Sequence, residues 1–334
     1  LLKKNYQVHG LIRRVAAEDK THRLWRLKNI LNKITLHAAS LESYASIVKI
    51  IQKIKPKEVY HLGAQSYIDY AFKDEFSTIN TNINGTHFIL SAIRDFSPKT
   101  KFYFAASSEM FGKVQQIPQT EKTPFYPRST YGISKVAGFD LTRNYREAYN
   151  LFCCSGILFN HESPRRGFEF VTRKITHSVA RIKYGLQKDL KLGNIDAKRD
   201  WGHAKDYVEM QWFMLQQEKP EDFVISTGIT ETVRKFIEIS AKKLKWNTKV
   251  NEAAIIWEGE GIDEVGRRAD TKDIVIRVDR RYFRPTEVDI LIGDSKKALK
   301  KLGWKPKIKL EELISEMINE DLREAKKDLK TKRL

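Results

Sequence analysis

In the first half of this chain short apolar runs alternate with amphipathic stretches, and that alternation restricts the fold more than any other feature: it is the pattern of βαβ units around a parallel sheet. Tyr6 to Ile12 reads as a strand, Ser43 to Ile54 as a helix with Ile47, Ile50, Ile51 and Ile54 on one face, and Glu58 to Leu62 as the next strand. A helix over Ile83 to Ile93 leads to a strand at Lys101 to Ala106. A long loop bounded by Pro124 and Pro127 follows, and a helix is expected to begin near Ser129. Leu151 to Asn160 has the continuous apolar character of a fully buried strand. The expected class is α/β, with a doubly wound, Rossmann-like parallel sheet.

From His161 to Lys205 the sequence turns polar and arginine-rich, which marks a second, smaller α/β lobe. The expected organisation is a nucleotide-binding domain over 1–160, with 204–229 returning to it, a substrate-binding lobe over 161–203 and 230–325, and a basic tail over 326–334. Within the later part, Phe223 to Ser226 reads as a strand. A helix from Thr232 carries Val233, Phe236, Ile237, Ala241 and Leu244 at helical spacing, and the last helix carries Leu310, Leu313, Ile314, Met317, Ile318 and Leu322 as a core stripe.

Composition narrows the functional classes. With 334 residues and 41% hydrophobic content the chain can bury a large core. Its formal charge of +19 has no accompanying nucleic-acid motif, so the lysines read as a solubilising face or as attraction for an anionic small molecule rather than as a nucleic-acid surface. No apolar run approaches the roughly 18 residues of a membrane span, and no secretory pattern opens the sequence, so a cytoplasmic protein is expected. Cys153 and Cys154, the two cysteines, lie in an apolar run and read as core residues; no metal site is expected.

The sharpest chemical signal is Tyr131-Gly132-Ile133-Ser134-Lys135, because i and i+4 share a helix face and bring a phenol to an ammonium. Tyrosine titrates near 10, so a phenolate base at neutral pH needs about 4 kcal/mol of differential stabilisation, which a nearby cation supplies. The spacing alone is common. Its context sharpens it: the preceding strand ends in Ala105-Ala106-Ser107-Ser108-Glu109, which would place Ser107 and Glu109 two apart on one strand face. Ser107 could then bond a reacting hydroxyl beside Tyr131, with Glu109 as a general acid or base; the alternative is a polar strand end with Glu109 in solvent.

Ser107-Ser108-Glu109 with Tyr131 and Lys135 resembles the catalytic set of the sugar-nucleotide dehydratases in the extended short-chain dehydrogenase/reductase superfamily. Three longer stretches narrow the resemblance to the GDP-mannose 4,6-dehydratase family: Pro124 to Ser129, Leu158 to Gly167, and Arg199 to Tyr207. The similarity runs from about Tyr6 to Leu322. It implies a lyase that uses NADP and GDP-mannose, with Tyr131 taking the C4 hydroxyl proton, Lys135 lowering its pKa and holding the nicotinamide ribose, and Glu109 moving protons at C5 and C6. It further implies substrate contacts at Ser108, Asn160, Lys174, Arg199, Arg284 and Glu287, where arginine suits a pyrophosphate or a guanine edge, although Arg199 and Arg284 can also be read as surface salt bridges. Cofactor contacts are implied at Arg13, Arg14, Ser40, Leu41, Leu62, Gly63, Ala64, Ser66, Lys135, His161 and Arg166; His161 reads equally well as a core-edge histidine. A homo-oligomer, dimer or tetramer, is the implied assembly.

The sequence departs from that pattern in places. A dinucleotide fold needs a first strand followed by a glycine loop, and neither is found before Tyr6, so the sequence is expected to be an incomplete copy of a longer protein. Ser40, in Ala38-Ala39-Ser40-Leu41, stands where the family has an adenine-contacting Asp, and Ser77 where it has a tyrosine beside the cofactor. Arg13 and Arg14, at the end of the second strand of the family fold, favour NADP over NAD. Two rivals remain: a sugar-nucleotide epimerase or reductase that uses Tyr131 and Lys135 without elimination, and a cofactor-impaired paralogue that binds a GDP-sugar or serves as a regulatory subunit.

Overall fold

The computed structural model describes residues 1–247, 252–283, 286, 288 and 290–331. The chain divides into two compact units: Leu1–Ala106 with Ser129–Gly156 and Met214–Asp222, and Ser107–Arg128 with Ile157–Phe213 and Phe223–Leu334. The loop Ser107–Arg128 groups with the second unit. Gln119 N–H donates to Ile292 O and Asp294 N–H to Gln119 O, at 2.9 and 2.8 Å, while a Cβ on Gly112 (φ +50°) would lie 2.0 Å from Tyr126 O.

In the first unit β1 (His9–Ile12) pairs in parallel with β2 (Thr35–Ala38), His9 opposite Thr35. Leu1 to Asn5 forms only a short 3-10 turn, and the strand expected from Tyr6 begins at His9. Helix α1 (Tyr44–Ile54) is started by Ser43, whose Oγ accepts from Ser46 N–H at 3.4 Å, and buries Ile47 and Ile51. Then come β3 (Glu58–His61), α2 (Gly85–Phe96) after a π-turn at Asn80–Asn84, and β4 (Lys101–Ser107), which pairs in parallel with β3. Helix α3 (Thr130–Tyr149) begins where expected, with Ser129 Oγ accepting from Gly132 N–H at 3.0 Å. β5 (Cys153–Leu158) lies beside β4 and is buried along its whole length, both cysteines being free thiols; burial pushes Cys153 up to about 12.

Gly138 sets the approach of α3 to β4, since a Cβ there would lie 2.4 Å from Phe104 Cζ. Phe104 is itself buried and has nowhere to retreat. Gly138→Ala is therefore expected to destabilise by about 1–3 kcal/mol despite the better helix propensity of alanine, read as a lower denaturant midpoint with unchanged slope.

The second unit is built on β6 (Asn160–Glu162), α4 (Val171–Lys183), β7 (Leu190–Leu192), β8 (Trp201–His203), α5 (Val233–Lys243), β9 (Ile255–Glu258), β10 (Val265–Arg268), β11 (Ile274–Val278) and α6 (Leu310–Thr331). One sheet has the order β9-β10-β11-β7, antiparallel except for the parallel pair β11 and β7; β6 and β8 form a separate parallel pair. Ile175 and Val179 of α4, Phe236 and Ile237 of α5, Ile314 and Ile318 of α6, and Trp246 fill the core. Arg173 and Asp321, both fully buried, pair at 2.8 Å and tie α4 to α6. His177, Asp321 and Glu324 form a cluster of potential metal ligands there, but the Arg173 guanidinium already faces both carboxylates. The last helix carries Lys326 and Lys327 to Thr331, where the sequence suggested a tail. No helix among the described residues is long and apolar enough to cross a membrane.

Candidate active site

Helix α3 presents Tyr131 in its first turn and Lys135 one turn on. Lys135 is buried, its Nζ donates to Ala105 O at 2.7 Å, and the ammonium sits 5.7 Å from the Tyr131 ring centre and 4.9 Å from that of Phe104. Burial lowers Lys135 to about 8. The i,i+4 reading thus gives the geometry it anticipates, a cation beside the phenol. Burial also pushes His61 down to about 3, with the Lys135 charge adding to it, so Lys135 has a neutral imidazole near it at physiological pH.

Ser107 and Glu109 are not on one strand face. β4 ends at Ser107, and Ser108–Met110 turn into a 3-10 helix that Ser107 caps, its Oγ accepting from Glu109 N–H at 3.2 Å. The strand period stops two residues before Glu109 because the serine side chain offers Glu109 N–H a partner that a ladder would otherwise supply. Ser108 is buried and Glu109 half-buried. Tyr131 and Lys135 belong to the first compact unit, Ser107, Ser108 and Glu109 to the second; Lys135 bonds β4 two residues before Ser107 in the same strand.

Among the expected cofactor residues of the first unit, two segments meet. A Cβ on Gly63 would lie 3.2 Å from Leu41 Cδ1, so the loop Leu62 to Ser66 packs its backbone on Leu41. Ser40 is occupied in starting α1: its N–H donates to Ser46 Oγ and its Oγ accepts from Glu42 N–H, both at 3.2 Å. Arg13 and Arg14 are exposed after β1, with Arg14 on Glu18 at 2.8 Å. Ser77 sits in a helical turn capped by Asp74, its N–H donating to Asp74 Oδ1 at 3.0 Å.

In the second unit His161 stacks on Tyr207 with ring centres 4.8 Å apart and bonds Phe159 O through Nδ1 at 2.9 Å; burial holds it near 4, neutral at pH 7. Arg166 is held by Glu162 at 3.1 Å and lies 3.6 Å from the centre of the Phe170 ring. Asn160 Oδ1 is buried without a hydrogen-bond partner among the described residues, an orphan acceptor of the kind a ligand donor satisfies. Lys174 Nζ lies 3.4 Å from the centre of the Tyr282 ring. Arg199 is nearly buried, with Nη1 donating to Lys198 O and Val288 O at 2.9 and 2.6 Å. Arg284 and Glu287 lie outside the described residues.

Sequence reading missed two buried polar side chains, Asp200 and Asn82. Asp200, fully buried and pushed up to about 6 by that burial, accepts from Thr227 N–H, Thr227 Oγ–H and Gly228 N–H, at 2.9, 2.6 and 2.9 Å. Asn82 was missed too, although a run of Asn and Thr inside a helical pattern, Asn80-Thr81-Asn82-Ile83-Asn84, was a visible irregularity.

The buried Lys135 ammonium, the loop Leu62 to Ser66 packed on Leu41 and the exposed Arg13 and Arg14 after a parallel strand are groups that fit NADP. The fold is shared with RMD from Pseudomonas aeruginosa, solved complexed with NADPH, which superposes with a TM-score of 0.74 over 90% of this chain and 95% of that one at 22% identity. The structure thus defines an α/β protein with a Rossmann-like fold. The family model for GDP-mannose 4,6 dehydratase matches residues 1–317. GDP-mannose 4,6-dehydratase of Vibrio cholerae is 46% identical over 98% of this chain and 90% of its own length, and the Homo sapiens enzyme of that name 48% identical over 96% and 86%. The chain belongs to the GDP-mannose 4,6-dehydratase family.

Proposed function

We propose that this enzyme converts GDP-mannose to GDP-4-dehydro-6-deoxy-mannose, with NADP held mostly by residues of the first unit and the GDP-sugar by residues of the second. The observation that carries the reading is the buried Lys135 ammonium beside the Tyr131 ring, fixed to Ala105. Tyr131 takes the proton of the C4 hydroxyl, and the positive charge of Lys135 stabilises the phenolate that precedes the transfer. NADP, when bound, supplies the two-electron oxidation at C4 and returns those electrons to C6. With C4 a ketone the C5 proton is acidic; Glu109 removes it and protonates the C6 hydroxyl, which leaves as water, and C5 regains a proton as C6 is reduced. Ser107 bonds the C4 oxygen, and Ser108, Asn160, Lys174, Arg199, Arg284 and Glu287 hold the nucleotide and sugar. Arg13, Arg14, Ser40, Leu41, Leu62, Gly63, Ala64, Ser66, His161 and Arg166 hold the cofactor along with Lys135.

The burial of Lys135 supplies a pH signature. Below about 8 the ammonium is charged and supports the phenolate; as pH rises through that value the charge is lost. The account predicts that kcat falls on the alkaline side near pH 8 and that Lys135→Arg, which keeps its charge, lacks this limb on its residual activity; an unchanged limb in that variant contradicts the assignment. Incubation with GDP-mannose and NADP+ should give a product lighter by one water with no net NADPH. A product of unchanged mass would mean epimerisation instead. Phe76 at 88% exposed, with Tyr70 and Ile133 also exposed on helices of the first unit, supports a homo-oligomer, and two free buried thiols suit the cytoplasm.

A further inference from the structure

The π-turn ahead of α2 places one side chain where it touches both halves of the first unit's chemistry. Asn82 is 3% exposed, yet its amide is fully used. Oδ1 accepts from Gln65 N–H at 2.7 Å, and Nδ2 donates to Gln65 O and to Ser134 Oγ, each at 2.9 Å. The two bonds to Gln65 imitate a backbone pairing and lock the loop Leu62 to Ser66. The third reaches α3, where Ser134 Oγ–H donates in turn to Tyr131 O at 2.7 Å. The turn is itself anchored: Asn82 O accepts from Thr86 Oγ1 at 2.7 Å, and Thr86 Oγ1 meets His61 Nε2 at 3.1 Å, at the end of the strand that feeds the same loop.

We infer that Asn82 is a positioning residue that fixes the turn bearing Tyr131 against the loop from Leu62 to Ser66, so that one buried amide sets both cofactor affinity and the alignment of the base. The inference rests on the site reading above. A π-turn costs helix regularity and recurs at functional sites; here the Asn82 amide it carries is buried. A buried amide with all its bonds made confers a single geometry, and loss of any bond leaves an unpaired partner.

The test separates the two arms of the link. In Ser134→Ala the loop stays locked to Asn82 and only the tie to α3 is lost, so kcat should fall about 10-fold with NADP+ affinity and the KM for GDP-mannose unchanged. In Asn82→Ala both ties are lost: kcat should fall by about 10–100-fold and the NADP+ Kd, measured by calorimetry without substrate, should rise about 10-fold, the equivalent of one net hydrogen bond. A kcat and Kd both at wild-type values in folded Asn82→Ala overturn the inference, as does a Ser134→Ala variant that weakens NADP+ as much as Asn82→Ala does. If Asn82→Ala does not fold, Ser134→Ala decides by the split between kcat and Kd. Tyr131→Phe serves as the control for the underlying site: loss of activity there with no effect at Asn82 or Ser134 rejects this inference alone, whereas full activity of Tyr131→Phe rejects the site reading.

Discussion

Tyr131→Phe is expected to lower kcat for GDP-mannose dehydration by about 10²–10⁴-fold, the contribution of a positioned general base, with little change in stability. The phenyl ring retains the packing of Tyr131 and its place near the Lys135 ammonium, 5.7 Å from the ring centre; only the proton-accepting oxygen is lost. The loss should fall on the first chemical step, so no NADPH should form transiently on mixing enzyme, NADP+ and substrate in a stopped-flow experiment. A variant that still shows the transient at the wild-type rate would mean that another group takes the C4 proton.

Glu109→Gln should behave differently, and the contrast identifies its role. An amide cannot accept the C5 proton, so turnover should fall by about 10²–10⁴-fold while the oxidation at C4 still proceeds. Enzyme-bound NADPH and a 4-keto sugar should then accumulate to an amount near that of the enzyme. Exchange of the C5 hydrogen with deuterated solvent should vanish in the same variant. The local geometry favours a clean test, because Glu109 is placed by its own backbone N–H on Ser107 Oγ at 3.2 Å, a bond that the substitution keeps. Wild-type turnover in Glu109→Gln would remove the carboxylate from the mechanism.

The sequence carried the fold where periodicity and capping agree. Ser43 and Ser129 announced α1 and α3 because a serine before an apolar helical pattern satisfies an otherwise unpaired N–H, and the continuous apolar run at Cys153–Leu158 could only be buried. The Tyr131 and Lys135 pair was legible for the same reason, since one helix fixes both. What periodicity cannot report is where a strand stops: β4 ends at Ser107 because the Ser107 side chain captures Glu109 N–H, a local competition invisible in the pattern of apolar residues. The bond from Arg199 to Val288 O was equally hidden, because the two residues lie far apart in sequence. At Asn82 the polar run Asn80 to Asn84 marked an irregularity in the helical pattern, but its partners Gln65 and Ser134 are distant in the chain and periodicity cannot name them.

The central claim is that oxidation at C4, elimination of water and reduction at C6 occur on one substrate in one site. Its most direct test is GDP-mannose carrying deuterium at C4, turned over with NADP+ and read by mass spectrometry and proton NMR of the product. The account predicts a 4-keto-6-deoxy product that has lost one water and retains the deuterium, now at C6. A product without deuterium, or a sugar of unchanged mass with deuterium still at C4, would contradict it.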